Sequence, residues 1–222
     1  MDYNLFQESE RCYAFEPSKR VVLVSARVHP GETPASHTFN GLLRFLFSGD
    51  ARARLLLRHF VFKMVPMLNP DGVAEGHYRM DIYGNNLNRF YLDPSASRQP
   101  SAYAMRQLGL YYQSRGSLSF YIDLHSHPQK KGNFIYGNAL DTLQQQCETQ
   151  LFAKLLSINC AEFDFLASSF SKYHMSAKDR NEEMTKEGCG RVVFNTHFNQ
   201  TYAYTLECGY TCGGAPNDIP PI

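Results

Sequence analysis

Short apolar runs rich in β-branched residues recur along the chain, and most of them are bounded by turn-forming residues. Runs of this length and composition are typical of buried strands. We predict strands at these runs: 20–28, 60–68, 117–125, 133–138, 190–196 and 201–209. The first run ends abruptly in "HPGE", so a histidine and a glutamate follow the first predicted strand directly.

Segments with apolar residues at helical spacing separate these runs. Phe39, Leu42, Leu43 and Leu46 share one face of a helix predicted over 34–47. We predict further helices at 102–114 and 140–157, and a short helix or turn at 51–59. Strands separated by helices favour an α/β fold, in which a sheet carries helices on both faces.

A long polar segment with little periodicity occupies residues 69–100, and its first four residues, "NPDG", predict a turn. A loop of this length inside a compact domain is usually functional or disordered. The segment also holds Arg79, Asn88 and Arg89. Since a guanidinium fork can hold a carboxylate through two hydrogen bonds, the segment is a candidate for binding an anionic substrate. Solvated surface arginines are the plainer interpretation.

Composition narrows the class of protein. With 222 residues, 43% of them hydrophobic, the chain is long enough for one large domain with a real core. A net charge of +1 argues against unaided binding to nucleic acid or to an anionic membrane. Six cysteines without a C-x-x-C pair, and an N-terminus without the apolar core of a signal peptide, indicate free thiols and a cytoplasmic protein.

Polar residues at the ends of three predicted strands suggest a metal site. His29 and Glu32 follow the first strand, His125 and His127 end another, and Glu207 lies near the end of the last. Ligands collect at the carboxyl ends of strands in open α/β sheets, so these side chains are expected to converge. Catalytic zinc needs three protein ligands, which a short His-x-x-Glu spacer and one distant histidine would supply. Asp123 is a candidate to orient that histidine.

Taken singly, each of these residues is also explained as an ordinary polar loop group. The motifs "HPGE", "NPDG", "NLNRFY", "DLHSH" and "YTLE", however, occur in the order found in zinc metallocarboxypeptidases of the M14 type. The longer stretches "SARVHPGETPASHTFNGLLRFL" and "FVFKMVPMLNPDGVAEGHYR" resemble the cytosolic carboxypeptidases, and among them the deglutamylases. The resemblance extends over residues 18–214 and implies a mixed central sheet with helices on both faces.

The resemblance also implies roles for individual residues. One zinc ion per chain would be held by His29, Glu32 and His125, the last chosen over His127 because the family's ligand is the first histidine of its "DLHGH". A zinc-activated water would attack the peptide bond, with Glu207 as general base and acid. Three residues of the long polar segment would contact the substrate, Arg79 at the oxyanion and Asn88 and Arg89 at the terminal carboxylate.

The family's substrates are C-terminal or branched glutamates on tubulin and other proteins. An acidic substrate side chain needs a cation in its pocket, for which we consider Arg191 and Lys186, and more weakly Lys130 and Lys131. The resemblance thus implies a deglutamylase of polyglutamylated tails in the cytoplasm, with nuclear or cytoskeletal association as further options. It leaves open the oligomeric state and the choice between branch-point and linear glutamates.

The sequence departs from the family pattern in two respects. Ser126 stands where the family has a glycine, and a serine would be strained there if the position required a positive φ. Residues 1–20 are expected to be a lead-in, the remnant of a link to a missing β-sandwich domain, and residues 21–222 the catalytic domain. The family's catalytic domain continues into a further helix, so the C-terminal end is expected to be truncated.

Two other functions remain open from the residues alone. Related deacylases use an H-x-x-E…H zinc site on small N-acyl amino acids. Alternatively, the chain would be an inactive truncated remnant that binds acidic tails, although a binding protein has no need of a general base such as Glu207.

Overall fold

A five-stranded mixed sheet forms the centre of the protein in a computed structural model that describes residues 18–178 and 183–210. The strand order is β2-β1-β3-β5-β4, and all neighbouring strands are parallel except β4, which is antiparallel to β5. The strands are β1 (Arg20–Ala26), β2 (Phe60–Val65), β3 (Leu118–His127), β4 (Phe134–Tyr136) and β5 (Ala203–Gly209).

Helices cover both faces of this sheet. They are α1 (Thr33–Leu46), α2 (Ala51–His59), α3 (Pro70–Ala74), α4 (Pro100–Ser114), α5 (Leu143–Asn159), α6 (Tyr173–Ser176) and α7 (Gly190–Phe198), with 3-10 turns at Leu87–Arg89 and Lys186–Gly188. Ile122 and Leu206 contact the apolar faces of both α1 and α5, which places these two helices on the same side. The predicted α/β fold with a mixed central sheet and helices on both faces is confirmed.

Aromatic packing holds α4 and α7 against the opposite face. Tyr121 of β3 stacks on Phe194 of α7 with ring centroids 3.8 Å apart, and Phe194 meets Phe198 edge to face at 4.9 Å. Both phenylalanines and Tyr121 are buried in the same cluster as Met105 of α4. These rings stabilise the packing of α4 and α7 on the sheet in two ways: they remove apolar surface from water, and they form favourable aromatic pairs.

The strand predicted at 190–196 is wrong, because these residues belong to α7. Its first five residues, 190–194, are all buried, including Arg191, so the helix has no exposed side in this stretch and its sequence shows no helical period of apolar and polar residues. A short apolar run of this kind does not distinguish a buried strand from a buried helix. The helix ends at Asn199, which adopts a left-handed conformation with φ 50°.

The predicted turn at 69–72 is instead the start of a short helix. The side chain of Asn69 accepts a hydrogen bond from the amide of Gly72 at 3.0 Å and so caps α3, while Pro70 occupies its first turn. Further along the segment, the carboxylate of Asp81 accepts hydrogen bonds from the amides of Tyr83 and Asn85. The long polar segment is therefore ordered by contacts between side chains and backbone.

Four cysteines lie in the described residues, and all are free: Cys147, Cys160, Cys189 and Cys208. Cys12 and Cys212 lie outside the described residues, as do most of the predicted lead-in, 1–20, and the last residues, 211–222. None of the helices within 18–178 and 183–210 is long and apolar enough to cross a membrane.

The packing of α4 against α7 leads to a prediction about Gly109. A Cβ atom at this position would lie 2.7 Å from the rings of both Phe194 and Phe198. Gly109→Ala is therefore expected to destabilise the fold by about 1–3 kcal/mol through overpacking. Gly41 in α1 is the matched control, since its Cβ would meet no atom within 4 Å.

Gly41→Ala should raise the free energy of unfolding by about 0.5–1 kcal/mol, because alanine is the better helix former. Urea unfolding of both variants and the parent checks the pair. Equal stability of the two variants would contradict the close packing of α4 on α7.

Candidate metal centre and active site

The carboxyl ends of the parallel strands bring the predicted metal ligands together. His29 follows β1 by three residues, and Glu32 is the N-cap residue of α1. His125 lies near the end of β3 and is paired in register with Glu207 of the neighbouring strand β5. Because β1, β3 and β5 start at the same edge and run in one direction, their ends meet at the same place.

His29, Glu32 and His125 form a compact cluster of donor atoms. Each offers one ligand atom, and these atoms lie within 4.8 Å of one another. The Nδ1 atom of His29 is 2.6 Å from one carboxylate oxygen of Glu32, and the Nδ1 atom of His125 is 2.9 Å from the other. All three side chains are buried, with residue exposures of 4%, 7% and 3%.

The Nε2 atom of each histidine donates a hydrogen bond to a neighbouring side chain. The Nε2 atom of His29 donates to Asn86 Oδ1 at 3.0 Å, and that atom must be oxygen because it also accepts from the amide of Asn88. The Nε2 atom of His125 donates to a carboxylate oxygen of Asp123 at 2.8 Å. In the neutral form that a metal ion requires, each histidine would direct its Nδ1 lone pair at the Glu32 carboxylate, and acceptors that converge so closely are suited to a cation.

The electrostatics of the cluster also favour a cation. Burial would raise the pKa of the Glu32 carboxyl, but His29 and His125 outweigh it and hold this pKa well below its usual range. Burial likewise opposes a charged His125, yet the carboxylates of Asp123 and Glu32 raise its pKa well above the ordinary value. Two imidazole nitrogens and a carboxylate are the ligand set of many catalytic zinc sites, so the residues present fit zinc.

A cavity of about 600 Å³ opens beside the cluster. Its lining includes the two residues predicted for catalysis and the four main candidates for substrate binding: Arg79, Glu207, Asn88, Arg89, Lys186 and Arg191. The structure thus brings residues from the long polar segment, the second 3-10 turn, α7 and β5 to one space. A cavity of this size is large enough for one amino-acid residue and its neighbours.

Glu207 is placed to act on a bond held in this cavity. Its side chain is buried on β5 beside the metal cluster, and burial raises the pKa of its carboxyl to about 7. The positive charge of His125 opposes this shift, whereas Glu32 and Asp123 reinforce it. A carboxyl with a pKa near neutrality can both accept and return a proton, which is what a general base and acid must do.

Both the sequence and the fold of this chain are similar to those of zinc carboxypeptidases. Residues 7–218 match the family model for zinc carboxypeptidases. The chain belongs to the zinc carboxypeptidase family. Cytosolic carboxypeptidase-like protein 5 of Danio rerio is 37% identical over 91% of this chain and 34% of its own length. Cytosolic carboxypeptidase 6 of Mus musculus is 38% identical over 91% of this chain and 37% of its own length.

This zinc carboxypeptidase chain therefore spans about a third of the length of these curated relatives. Among solved structures, a metallo-carboxypeptidase from Burkholderia cenocepacia matches with a TM-score of 0.71 and 27% identity. The match covers 87% of this chain and 49% of the bacterial one. The resemblance to the cytosolic carboxypeptidases, inferred above from sequence motifs, is confirmed.

The structure separates the two histidines of "DLHSH". His125 joins the cluster, whereas the Nδ1 atom of His127 accepts hydrogen bonds from the amides of Gln129 and Lys130. The backbone strain considered for Ser126 is absent, because this residue lies within β3 and is not among the residues with positive φ. Its amide donates to Glu32 at 3.0 Å, so the backbone at this position supports the cluster.

The weaker cation candidates lie outside the zinc carboxypeptidase cavity. The Lys130 amine donates to the carbonyl of Ala167 at 3.0 Å and lies 4.3 Å from the centre of the Phe134 ring. Lys131 is exposed and is likewise not among the lining residues of the cavity. Of the four predicted cations, only Arg191 and Lys186 face the substrate space.

The site contains supporting residues that the sequence reasoning missed. Asp123 was expected to orient His125, and the hydrogen bond is present. Ser25 was not expected, yet its hydroxyl donates to Asp123 at 2.7 Å and lies 3.2 Å from the Tyr121 hydroxyl. Asn86, the partner of His29, was missed although it stands two residues before Asn88. The asparagine-rich motif "GNNLNRF", which contains Asn86, was the sequence signal that could have indicated it.

Proposed function

We propose that the protein is a zinc-dependent carboxypeptidase that removes glutamates from the C-terminal or branched ends of acidic protein tails, such as those of tubulin. The observation that carries the glutamate preference is the buried Arg191 side chain, which lines the same cavity as the metal cluster and Glu207. Membership of the zinc carboxypeptidase family supports the reaction class, and the charge of the cavity supports the substrate class.

Arg191 is held in place by neutral acceptors. Its guanidinium donates to the carbonyl of Gly137, to Asn138 Oδ1 at 2.9 Å and to the carbonyl of His174 at 3.0 Å. The residue is 3% exposed, and its Nε atom has no hydrogen-bond partner within the described residues. These hydrogen bonds of the buried cation go to neutral acceptors, although the Glu207 carboxylate lies near enough to interact with its charge. A direct hydrogen bond to a carboxylate would stabilise the cation further, which supports the binding of a glutamate side chain.

The metal is proposed to be zinc held by His29, Glu32 and His125, with one ion per chain. A bound zinc ion supplies Lewis acidity toward the scissile carbonyl and toward water. The hydrogen bonds from His29 to Asn86 and from His125 to Asp123 keep both Nδ1 atoms available as ligands.

Glu207 is proposed to move the proton. In the ionised state its carboxylate takes a proton from the attacking water, and in the protonated state it delivers that proton to the leaving amine. Its burial next to the cluster favours this exchange, because a carboxyl with a pKa raised to about 7 is neither a strong acid nor a strong base.

Three residues of the long polar segment are proposed to orient the substrate. Asn88 and Arg89 are both buried and line the cavity, and an Nη1 hydrogen bond from Arg89 to the Asn88 carbonyl fixes them together at 2.9 Å. They are assigned to the terminal carboxylate, which makes the enzyme an exopeptidase. Arg79 lines the cavity on the side of His29 and is assigned to the oxyanion that develops on the carbonyl.

The surroundings of Arg191 favour a substrate with several negative charges. Lys186 and His174 both line the cavity. Partial burial lowers the pKa of His174, and the positive charges of Lys186, Lys130 and Arg191 lower it further. Positive charge of this kind suits a polyglutamate tail. We propose a cytoplasmic location, in keeping with the names of the cytosolic relatives.

The test measures zinc content and product release in the same preparation of the purified chain. We expect close to one zinc per chain and release of glutamate from a peptide that ends in several glutamates. A peptide of the same length ending in glutamines should react at least tenfold more slowly. Faster turnover of N-acetyl-aspartate would favour the deacylase, and zinc-loaded protein that binds glutamate peptides without product would favour the binding remnant.

The glutamate preference is checked by Arg191→Met. Loss of a charge-assisted hydrogen bond is worth about 1.5–3 kcal/mol, so kcat/KM for the glutamate-ended peptide should fall roughly 10- to 150-fold. For the glutamine-ended peptide, kcat/KM should fall by less than about threefold, because a neutral amide gains little from the guanidinium. Lys131→Met is the control, since Lys131 is exposed and lies outside the cavity. Equal losses on both peptides would remove Arg191 from substrate recognition.

A further inference from the structure

The segment that carries two of the metal ligands begins with a backbone conformation unusual for its residue. We define residues 27–32 as the ligand loop, since it runs from the end of β1 to the N-cap of α1 and contains both His29 and Glu32. Arg27 has φ 58°, in the left-handed region that favours glycine. Within the described residues, Asn199 is the other non-glycine residue with positive φ.

The left-handed turn at Arg27 folds its side chain back over the ligand loop. The Nε and Nη2 atoms both donate to the carbonyl of Pro30, at 3.0 and 2.6 Å. The Nη1 atom donates to the Ser36 hydroxyl of α1 at 2.8 Å. Arg27 is 8% exposed, so this guanidinium forms a buried brace between the loop and the first turn of the helix.

The backbone of the ligand loop is tied to the neighbouring segments as well. The carbonyl of Arg27 accepts a hydrogen bond from the amide of Asn69 at 3.1 Å, and the amide of Gly31 donates to the carbonyl of Tyr78 at 2.7 Å. These contacts hold the two ends of the loop. In the middle of the loop, the Asn69 side chain donates to the carbonyl of Val28 at 3.3 Å, and the amide of Glu32 donates to the carbonyl of His29 at 3.2 Å. The guanidinium adds two hydrogen bonds at Pro30, between the two ligands.

We infer that Arg27 is a positioning residue that sets the separation and direction of His29 and Glu32. Pro30 lies between the ligands, and Ser36 lies in the first turn of α1, whose N-cap residue is Glu32. One planar guanidinium fork therefore fixes both the spacing of the two ligands and the position of Glu32 relative to the loop. Glycine would adopt this backbone conformation without strain but could not supply the fork. The strained conformation of arginine is therefore explained by what its side chain holds.

The inference rests on the proposed zinc site and is tested by metal affinity rather than by activity alone. Arg27→Gly keeps the left-handed backbone and removes the brace. We expect its zinc dissociation constant, measured by competition with a chromophoric chelator, to rise about 10- to 100-fold, as for other residues that orient ligands. The visible absorption spectrum of the cobalt-substituted variant should also change, because ligand geometry sets its bands.

Asn199→Gly is the matched control, since it relieves the same kind of backbone strain at the end of α7, away from the ligand loop. Its zinc affinity and cobalt spectrum should match those of the parent. Ser36→Ala removes one of the hydrogen bonds of the brace and should weaken zinc binding by a smaller factor than Arg27→Gly. This second variant preserves the test if Arg27→Gly does not fold.

The possible outcomes separate this inference from the proposed function. If the parent binds zinc and Arg27→Gly binds it equally well with an unchanged cobalt spectrum, the positioning role is overturned while the zinc site stands. Unchanged affinity in Ser36→Ala, with Arg27→Gly unfolded, would also overturn it, because the brace would then serve stability alone. A parent that does not bind zinc would overturn the proposed function and this inference together.

Discussion

Glu207→Gln is expected to slow glutamate release by on the order of a thousandfold, within the usual range for loss of a general base or acid. Glutamine keeps the size of the buried side chain but cannot accept the proton of the attacking water. Because Glu207 lies outside the cluster of His29, Glu32 and His125, the zinc content should stay at the parent value. Steady-state kinetics on a glutamate-ended peptide, with metal analysis of the same sample, checks both expectations.

The loss should appear in kcat rather than in KM, since Glu207 is assigned to the chemical step and not to holding the substrate. Glu187→Gln is a suitable control, because Glu187 is exposed in the second 3-10 turn and does not line the cavity. A Glu207→Gln protein that retains a tenth or more of the parent kcat would show that another group carries the proton.

His125→Ala is expected to reduce zinc affinity on the order of a hundredfold to a thousandfold. Zinc sites in small domains bind with about 10–16 kcal/mol shared among four ligands, so one ligand is worth several kcal/mol. The alanine variant also removes one of the two hydrogen-bond donors that Asp123, a residue that is 1% exposed, has within the described residues, and leaves only the Ser25 hydroxyl. Activity should disappear at zinc concentrations that saturate the parent.

His127→Ala provides the matched comparison within the same strand. His127 stands two residues further on, and its ring accepts backbone hydrogen bonds instead of joining the cluster. Its zinc affinity should stay within about threefold of the parent, in line with a residue outside the ligand set. The reverse ranking of the two variants would contradict the assignment of His125. Should His125→Ala fail to fold, His29→Ala tests the same cluster from the ligand loop.

Much of the candidate site could be predicted because its residues stand at the ends of predicted strands. The apolar runs at 20–28, 117–125 and 201–209 each overlap an observed strand, β1, β3 and β5. Parallel strands carry whatever follows them to the same edge, so a histidine and glutamate after one strand approach a histidine and glutamate on two others. The long polar segment was predicted to be either functional or disordered; it is ordered, and its Arg79, Asn88 and Arg89 line the cavity.

Other features depend on contacts between residues far apart in the chain. The hydrogen bond of His29 joins it to Asn86, 57 residues away, and that of Ser25 joins it to Asp123, 98 residues away. A spacing pattern contains no information on such partners. The prediction of a strand at 190–196 was wrong for a related reason, since only the tertiary structure buries the first turns of α7 on every side.

The sequence by itself determined the α/β class, the family and the set of polar residues available for chemistry, because these follow from local periodicity and motif order. The tertiary structure decided which of two neighbouring histidines joins the cluster, which of four cations faces the cavity, and how Arg27 braces the ligand loop. Each of these outcomes depends on where a side chain points relative to groups that are distant in the sequence. They arise only when the sheet and its helices pack, because packing selects one rotamer and one set of partners from those that the local chain allows.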